Sequence, residues 1–211
     1  MISALFHSGD GTTEVTSDTW RDAIARHSYD AFIFDCDGTL VESAEVHFKS
    51  FFQAAAEQGH TLDRDWYLAR TGLDRVSLFR EFAADVGRFD IQQASKRSIE
   101  FFVGMSDQVR RIPETALLVE ALGASAPLAV GTNAERPVAE ASLRATGLLQ
   151  HFDHIVAISD GLKPKPAPDI FRTASDLLQS GDRLLVIEDS PQGVAAARSA
   201  GFDVIEITSL S

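Results

Sequence analysis

Ala31-Phe32-Ile33-Phe34-Asp35-Cys36-Asp37-Gly38-Thr39 is the stretch on which the fold of this chain turns. Four apolar residues, aromatic and β-branched, predict a short buried strand. It stops abruptly at two aspartates one residue apart. Similar apolar runs recur at 128–130, 155–158 and 184–187, with a weaker one at 204–207. Helical segments are predicted between them, at 134–146 ahead of Gly147, at 168–178 after a proline-rich loop, and at 191–200. The last has Ser190 as N-cap, Pro191 at the first helical position and Gly201 just past its end, the usual asymmetry of helix signals. Strand and helix in repeated alternation predict an α/β fold, a Rossmann-like parallel sheet with helices on both faces.

Residues 45–112 break the alternation. They show no convincing strand, but Phe48, Phe51, Phe52 and Ala55 share a face at helical spacing, as do Phe79, Phe82, Ala83 and Val86. Phe102, Met105 and Val109 suggest a third helix. These phenylalanine stripes read as core. The expected organisation is a discontinuous α/β core domain at 29–44 and 113–211, an inserted helical cap domain at 45–112, and a peripheral N-terminal arm at 1–28. Within the arm, 8–17 is rich in Gly, Thr and acid and predicted to bury little, and a short helical turn is expected at 20–26.

The 211 residues, 45% of them hydrophobic, suffice for such a core. A formal net charge of −12 repels nucleic acid and anionic membrane, so neither is expected as a partner. A single cysteine, Cys36, excludes an internal disulfide and suits a reducing compartment. With no signal-peptide core and no run of transmembrane length, the expectation is a cytoplasmic protein, a monomer or weak homo-oligomer.

In an open parallel sheet, ligands bind beyond the carboxyl ends of the strands. Beyond the first lie Asp35, Asp37, Gly38 and Thr39; beyond the second, Gly131, Thr132 and Asn133; beyond the third, Lys163 and Lys165; beyond the fourth, Glu188, Asp189 and Ser190. Carboxylates, a hydroxyl and a cation on one edge suit phosphoryl transfer. That reaction needs charge neutralised and an attacker aligned. A carboxylate can attack phosphorus, and a divalent cation must then bridge the repelling anions. Magnesium, content with one or two carboxylates, fits Asp35 and Asp189, with Glu188 in support. Asp37 is placed for proton transfer. Thr132 and the N–H groups after it suit phosphate oxygens, Lys165 neutralises charge, and Gly38 permits a tight reversal.

FDCDGTLVES, VGTNAE, KPKPAPDIF and VIEDSPQGVAAARSAG resemble the four ordered motifs of the haloacid dehalogenase-like superfamily, in its branch with a helical cap after the first motif. The resemblance covers roughly residues 30–207. It implies that Asp35 is the nucleophile of an aspartyl-phosphate intermediate, and that Asp37 is the acid and base, its backbone carbonyl also binding Mg2+. Thr132 and Asn133 would hold phosphate, and Lys165 would be the motif cation. Asp189 would be a metal ligand with Glu188 beside the metal. A cap of this kind closes over the site and reads the leaving group.

Within the superfamily, Asp37 points to phosphate esters rather than to halide or phosphonate chemistry. The sequence is similar to β-phosphoglucomutase and to fructose-1-phosphatase-like sugar phosphatases. The first cap helix, with His47, and the segment Thr71-Gly72-Leu73-Asp74-Arg75 resemble the mutase hinge and specificity loop. Thr71 stands where the mutase pattern has lysine, which favours a phosphatase acting on small phosphorylated metabolites, sugar phosphates among them. A hexose-phosphate mutase is the alternative, and a non-catalytic binding module the remaining one. His47 and Arg75 are candidate substrate-binding residues, each weighed against an ordinary helix histidine and a solvated arginine. Cys36 reads as buried filler, its thiol blunted by acidic neighbours.

Overall fold

The computed structural model describes residues 1–181 and 183–209; residue 182 and the last two of the expected core range lie outside them. The chain begins with strands β1 (Ser3–Ser8) and β2 (Gly11–Thr16), helix α1 (Trp20–Ala25) and strand β3 (Ala31–Phe34). Then come β4 (Val41–Glu42), helices α2 (Ala44–Ala56), α3 (Arg64–Leu68), α4 (Arg75–Val86) and α5 (Ile91–Gly104), and β5 (Arg110–Arg111). The rest alternates: α6 (Pro113–Gly123), β6 (Leu128–Thr132), α7 (Arg136–Ala145), β7 (His154–Ala157), α8 (Asp169–Leu178), β8 (Leu184–Glu188), α9 (Pro191–Ala200) and β9 (Asp203–Ser209).

The main sheet runs β2-β1-β9-β8-β3-β6-β7. From β9 to β7 every neighbour is parallel. β3 is central, with β6 on one side and β8 on the other, so the order switches direction at the strand that ends in Asp35. Such a switch opens a crevice at the carboxyl edge, where ligands bind. Side chains of β3 alternate between the two faces. Phe32 and Phe34 join a core cluster with residues of α6 and α7, whereas Ala31 and Ile33 pack on the opposite face with α8 and α9. The α9 signals read from sequence hold, with Ser190 Oγ accepting from Gly193 N at 3.0 Å and Gly201 left-handed at φ +91°.

The N-terminal segment departs from expectation. It is not a peripheral arm: β1 pairs antiparallel with β9 and with β2, extending the sheet by a hairpin. Ile2, Ala4, Phe6, Val15, Trp20 and Ile24 are buried in the main core cluster. Thr12, Thr13 and Glu14 of β2 are exposed, as suits an edge strand.

Helices α2–α5 form the insert, with a core of their own around Phe51, Tyr67, Leu78, Phe79 and Phe82. The third expected helix is shifted: α5 ends at Gly104, Met105 caps it, and Val109 is extended. A strand does occur near the end of the block. Val41–Glu42 and Arg110–Arg111, the entry and exit of the insert, pair as a two-stranded antiparallel ribbon. Ile112 N donates to Leu40 O at 2.9 Å and Thr115 Oγ1 to Thr39 O at 2.7 Å, tying the exit to the loop after β3. Among the described residues, no helix is long and apolar enough to cross a membrane.

Candidate active site

Four strand ends place their side chains on one edge. Asp35 follows β3, and its N–H donates to Ile187 O at 2.9 Å, which locks it beside β8. Lys165 Nζ donates to Asp35 Oδ1 at 2.5 Å and to Glu188 Oε1 at 2.7 Å. The lysine is buried, its ammonium 4.5 Å from the centre of the Phe171 ring. Asn133 fixes the lysine from behind: its Oδ1 accepts from Lys165 N at 2.9 Å. Asn133 is thus a holder of the lysine loop as well as a candidate phosphate ligand. Thr132 Oγ1 accepts from Ala134 N at 3.0 Å, closing the turn into α7.

Glu188 sits beneath this arrangement. Its Oε2 accepts from Asp189 N at 2.8 Å, Ser190 N at 2.6 Å and Ser190 Oγ at 3.0 Å. With Oε1 on Lys165, both oxygens are engaged by the protein, so this carboxylate orients the lysine rather than facing open space. Asp189 is held differently, by Thr39 Oγ1 at 2.9 Å. Gly38, at φ +89°, brings its backbone against Asp189; a Cβ there would lie 2.2 Å from Oδ2.

Asp37 has separate company. Its Oδ1 accepts from Ser43 Oγ at 2.5 Å and is paired with His47 Nε2 at 3.2 Å. Ser43 and His47 belong to the start of α2, so the insert's first helix holds the second aspartate.

Electrostatics divides the two acids. Burial raises the Asp35 carboxyl well above its ordinary range, Lys165 lowers it, and Glu188 and Asp189 repel it upward. Burial also pushes Asp37 up, but the His47 charge and the bonds from His47 and Ser43 outweigh it and hold the group low. For Lys165, burial disfavours the ammonium, yet Asp35 and Glu188 prevail and its pKa rises. Asp189 is pushed up to about 6 by burial and by Glu188. The Cys36 thiol is raised well above its usual value, first by burial and then by Asp37 and Asp35, which disfavours the thiolate.

The cap candidate Arg75 does not face open space. It is buried, with Nε donating to Glu135 Oε1 at 2.8 Å, Nη2 to Glu135 Oε2 at 3.0 Å and Nη1 to Ser98 Oγ at 2.9 Å. Sequence reasoning did not single out Glu135, Thr39's bond to Asp189, Ser190's grip on Glu188, or Gly193. A Cβ on Gly193 would fall 1.6 Å from Glu188 Oε1, so only glycine lets α9 approach that carboxylate. The signal available was the glycine at the third position of a capped helix, which has no packing reason to be there.

A family model, haloacid dehalogenase-like hydrolase, matches residues 29–201. Fructose-1-phosphate phosphatase YqaB of Escherichia coli is 28% identical over 184 residues, 85% of this chain and 96% of that protein. Protein CbbY of Rhodobacter capsulatus is 34% identical over 195 residues, 83% of each chain. The crystal structure of CbbY from Rhodobacter sphaeroides in complex with phosphate superposes with a TM-score of 0.76 at 30% identity, covering 84% of this chain and 85% of that one. A mutant of the same protein in complex with xylulose-(1,5)bisphosphate gives 0.75 at 30% identity, with the same coverage. The chain belongs to the haloacid dehalogenase-like hydrolase family, and it is an enzyme.

Proposed function

We propose that this enzyme is a magnesium-dependent phosphatase, hydrolysing small phosphorylated metabolites, sugar phosphates in particular, through a phosphorylated Asp35. The observation that carries the reading is the buried Lys165 bridging Asp35 and Glu188 at the switch point of the sheet, with Asp189 alongside. One ammonium against three neighbouring carboxylates leaves an excess of negative charge that a hard divalent cation would cancel. Among the described residues no group of three or more His, Cys, Asp or Glu side chains is arranged to hold a metal. Magnesium keeps several waters and needs few protein ligands, so the carboxylates of this edge suffice for it. Asp35, Asp189 and the Asp37 carbonyl would hold it, with Glu188 behind. When bound, it would shield the incoming phosphate from Asp35.

The residues then divide the work. Lys165 favours the ionised form of Asp35 against the upward push of burial, and meets phosphate charge. Asp35 attacks phosphorus, and the ester oxygen leaves. Asp37 gives that oxygen a proton, and in the second step takes one from the attacking water. In the present arrangement Asp37 is ionised against Ser43 and His47, so it must exchange those partners before acting as an acid. Both partners sit at the start of α2, next to the ribbon joining insert to core, so movement of the insert and delivery of Asp37 are mechanically linked. Fructose-1-phosphate phosphatase and CbbY, the latter seen with a sugar bisphosphate, support a phosphorylated sugar as substrate class.

The test is phosphate release from a panel of sugar phosphates with and without magnesium, alongside Asp35→Asn. Metal-dependent release abolished by the substitution is the expected result. Full activity in Asp35→Asn would reject the nucleophile, and glucose 6-phosphate formed from β-glucose 1-phosphate would turn the reading to a mutase.

A further inference from the structure

The Arg75–Glu135 pair joins the insert to the core beside the catalytic edge. Arg75 opens α4, whereas Glu135 is the N-cap of α7, two residues past Asn133 and three past Thr132. The pair is bidentate, with side chains 5% and 19% exposed. The guanidinium also lies 4.7 Å from the centre of the Phe51 ring, and Ser98 on α5 takes a third N–H. An arginine held in this way is fixed in direction and cancelled in charge. The buried Tyr67 hydroxyl is pushed up to about 12 by burial, with Arg75 pulling it down and Asp37 pushing it up, so one side chain feels both the seam and the catalytic edge. The neighbouring insert cation, Arg70, is occupied as well, bonded to Glu81 at 2.8 Å and stacked 3.9 Å from the Trp66 ring.

A sugar carrying a second phosphate needs a cation at the far end of its site. Arg75 has the chemistry for that, but Glu135 already fills its fork. A second phosphate would have to evict a buried carboxylate and then lie beside it, and like charges at a closed seam are costly. A hydroxyl-bearing end meets no such obstacle. We propose that Glu135 is a specificity-determining residue, which occupies Arg75 at the seam and restricts the enzyme to phosphate monoesters whose leaving group carries no second phosphate. The inference rests on the phosphatase reading above and narrows its substrate class.

Affinities for fructose 1-phosphate and fructose 1,6-bisphosphate, measured by calorimetry with magnesium in an Asp35→Asn background, test it. With Glu135 present the monophosphate binds more tightly. Glu135→Gln shifts the ratio toward the bisphosphate by about tenfold or more. Adding Arg75→Gln abolishes that shift, and Glu135→Asp, which keeps the charge, retains the original preference. An unchanged ratio in Glu135→Gln overturns the proposal, as does an equal change in Glu135→Asp, which would mark a packing role. Phosphate release by the unmodified enzyme is scored separately. A ratio that moves as expected without any release would reject the phosphatase reading and leave Glu135 as an anion-selecting residue. Release with an unmoved ratio would reject Glu135 alone.

Discussion

Asp37 accepts a 2.5 Å hydrogen bond from Ser43, whereas Asp35, two residues earlier, accepts its own from Lys165. Their chemistry separates accordingly. Asp37→Asn is expected to lower kcat on sugar phosphates by about 100- to 10,000-fold, the usual weight of a general acid. It should cost much less on p-nitrophenyl phosphate, whose leaving group departs without a proton. Equal losses on both substrates would place Asp37 in binding rather than proton transfer.

His47 and Ser43 hold the Asp37 carboxyl low against the upward push of burial. Removing His47 takes away a charge and a bond that favour the ionised form, so the Asp37 pKa must rise. An acid with a higher pKa stays protonated to higher pH. His47→Ala therefore moves the alkaline limb of kcat upward in pH, seen in a pH-rate profile on a sugar phosphate. A profile that keeps its shape and only falls in height would limit His47 to a packing role against Phe102.

Lys165 is buried between two carboxylates, so its removal leaves both uncompensated. Lys165→Met is expected to destabilise the metal-free protein by about 3–5 kcal/mol, the usual cost of breaking a buried pair from one side. Chemical denaturation of metal-free samples measures it. Lys165→Met/Glu188→Gln removes one stranded charge and should recover part of the loss, which a simple cavity effect would not.

Asp189 has its folded pKa raised to about 6, above its ordinary value of 3.8. The folded state therefore binds that proton more tightly than the unfolded chain does. The resulting stability is complete below about pH 4 and is lost as pH rises through about 6. Magnesium competes with the proton for this carboxylate and favours the folded state only once it has ionised. Melting temperatures with magnesium against chelator should thus separate more at pH 7.5 than at pH 5. An equal separation at both would remove Asp189 from the metal site.

The site was more legible in sequence than the sheet. Asp35, Thr132, Lys165 and Glu188 each stand at or just beyond the end of a strand or in a loop leading to a helix, and apolar runs of three or four residues mark those strands clearly. That the sheet is parallel around β3 followed from the alternation; the order of its strands did not. The β1–β2 hairpin did not: β1 carries only a short apolar alternation, Ala4 and Phe6, and its edge partner β2 is largely polar, with Thr12, Thr13 and Glu14 exposed. The two-residue ribbon at the hinge is too short to leave any pattern. Arg75 was read at the end of a loop in the insert, but its partner Glu135 lies 60 residues away, and no local spacing announces a contact between insert and core.

Gly193 joins the fold to the chemistry most directly. A methyl group there would lie 1.6 Å from Glu188 Oε1 and 2.5 Å from Oε2, so the carboxylate or the first turn of α9 must move. Its φ needs no left-handed conformation, so alanine suits the helix and the penalty is purely one of space. Overpacking of this kind costs about 1–3 kcal/mol. If Glu188 moves, Lys165 loses one of its two anchors and swings from Asp35 while every catalytic side chain remains present. Gly193→Ala should therefore fold, melt earlier, and lose kcat more than it gains in KM. Gly147→Ala is the control: its φ of +72° carries strain, but nothing lies within 4 Å of its Cβ. It should lower stability and leave kcat untouched, and a matching loss of kcat in both variants would mean that general destabilisation, not the position of Glu188, governs turnover.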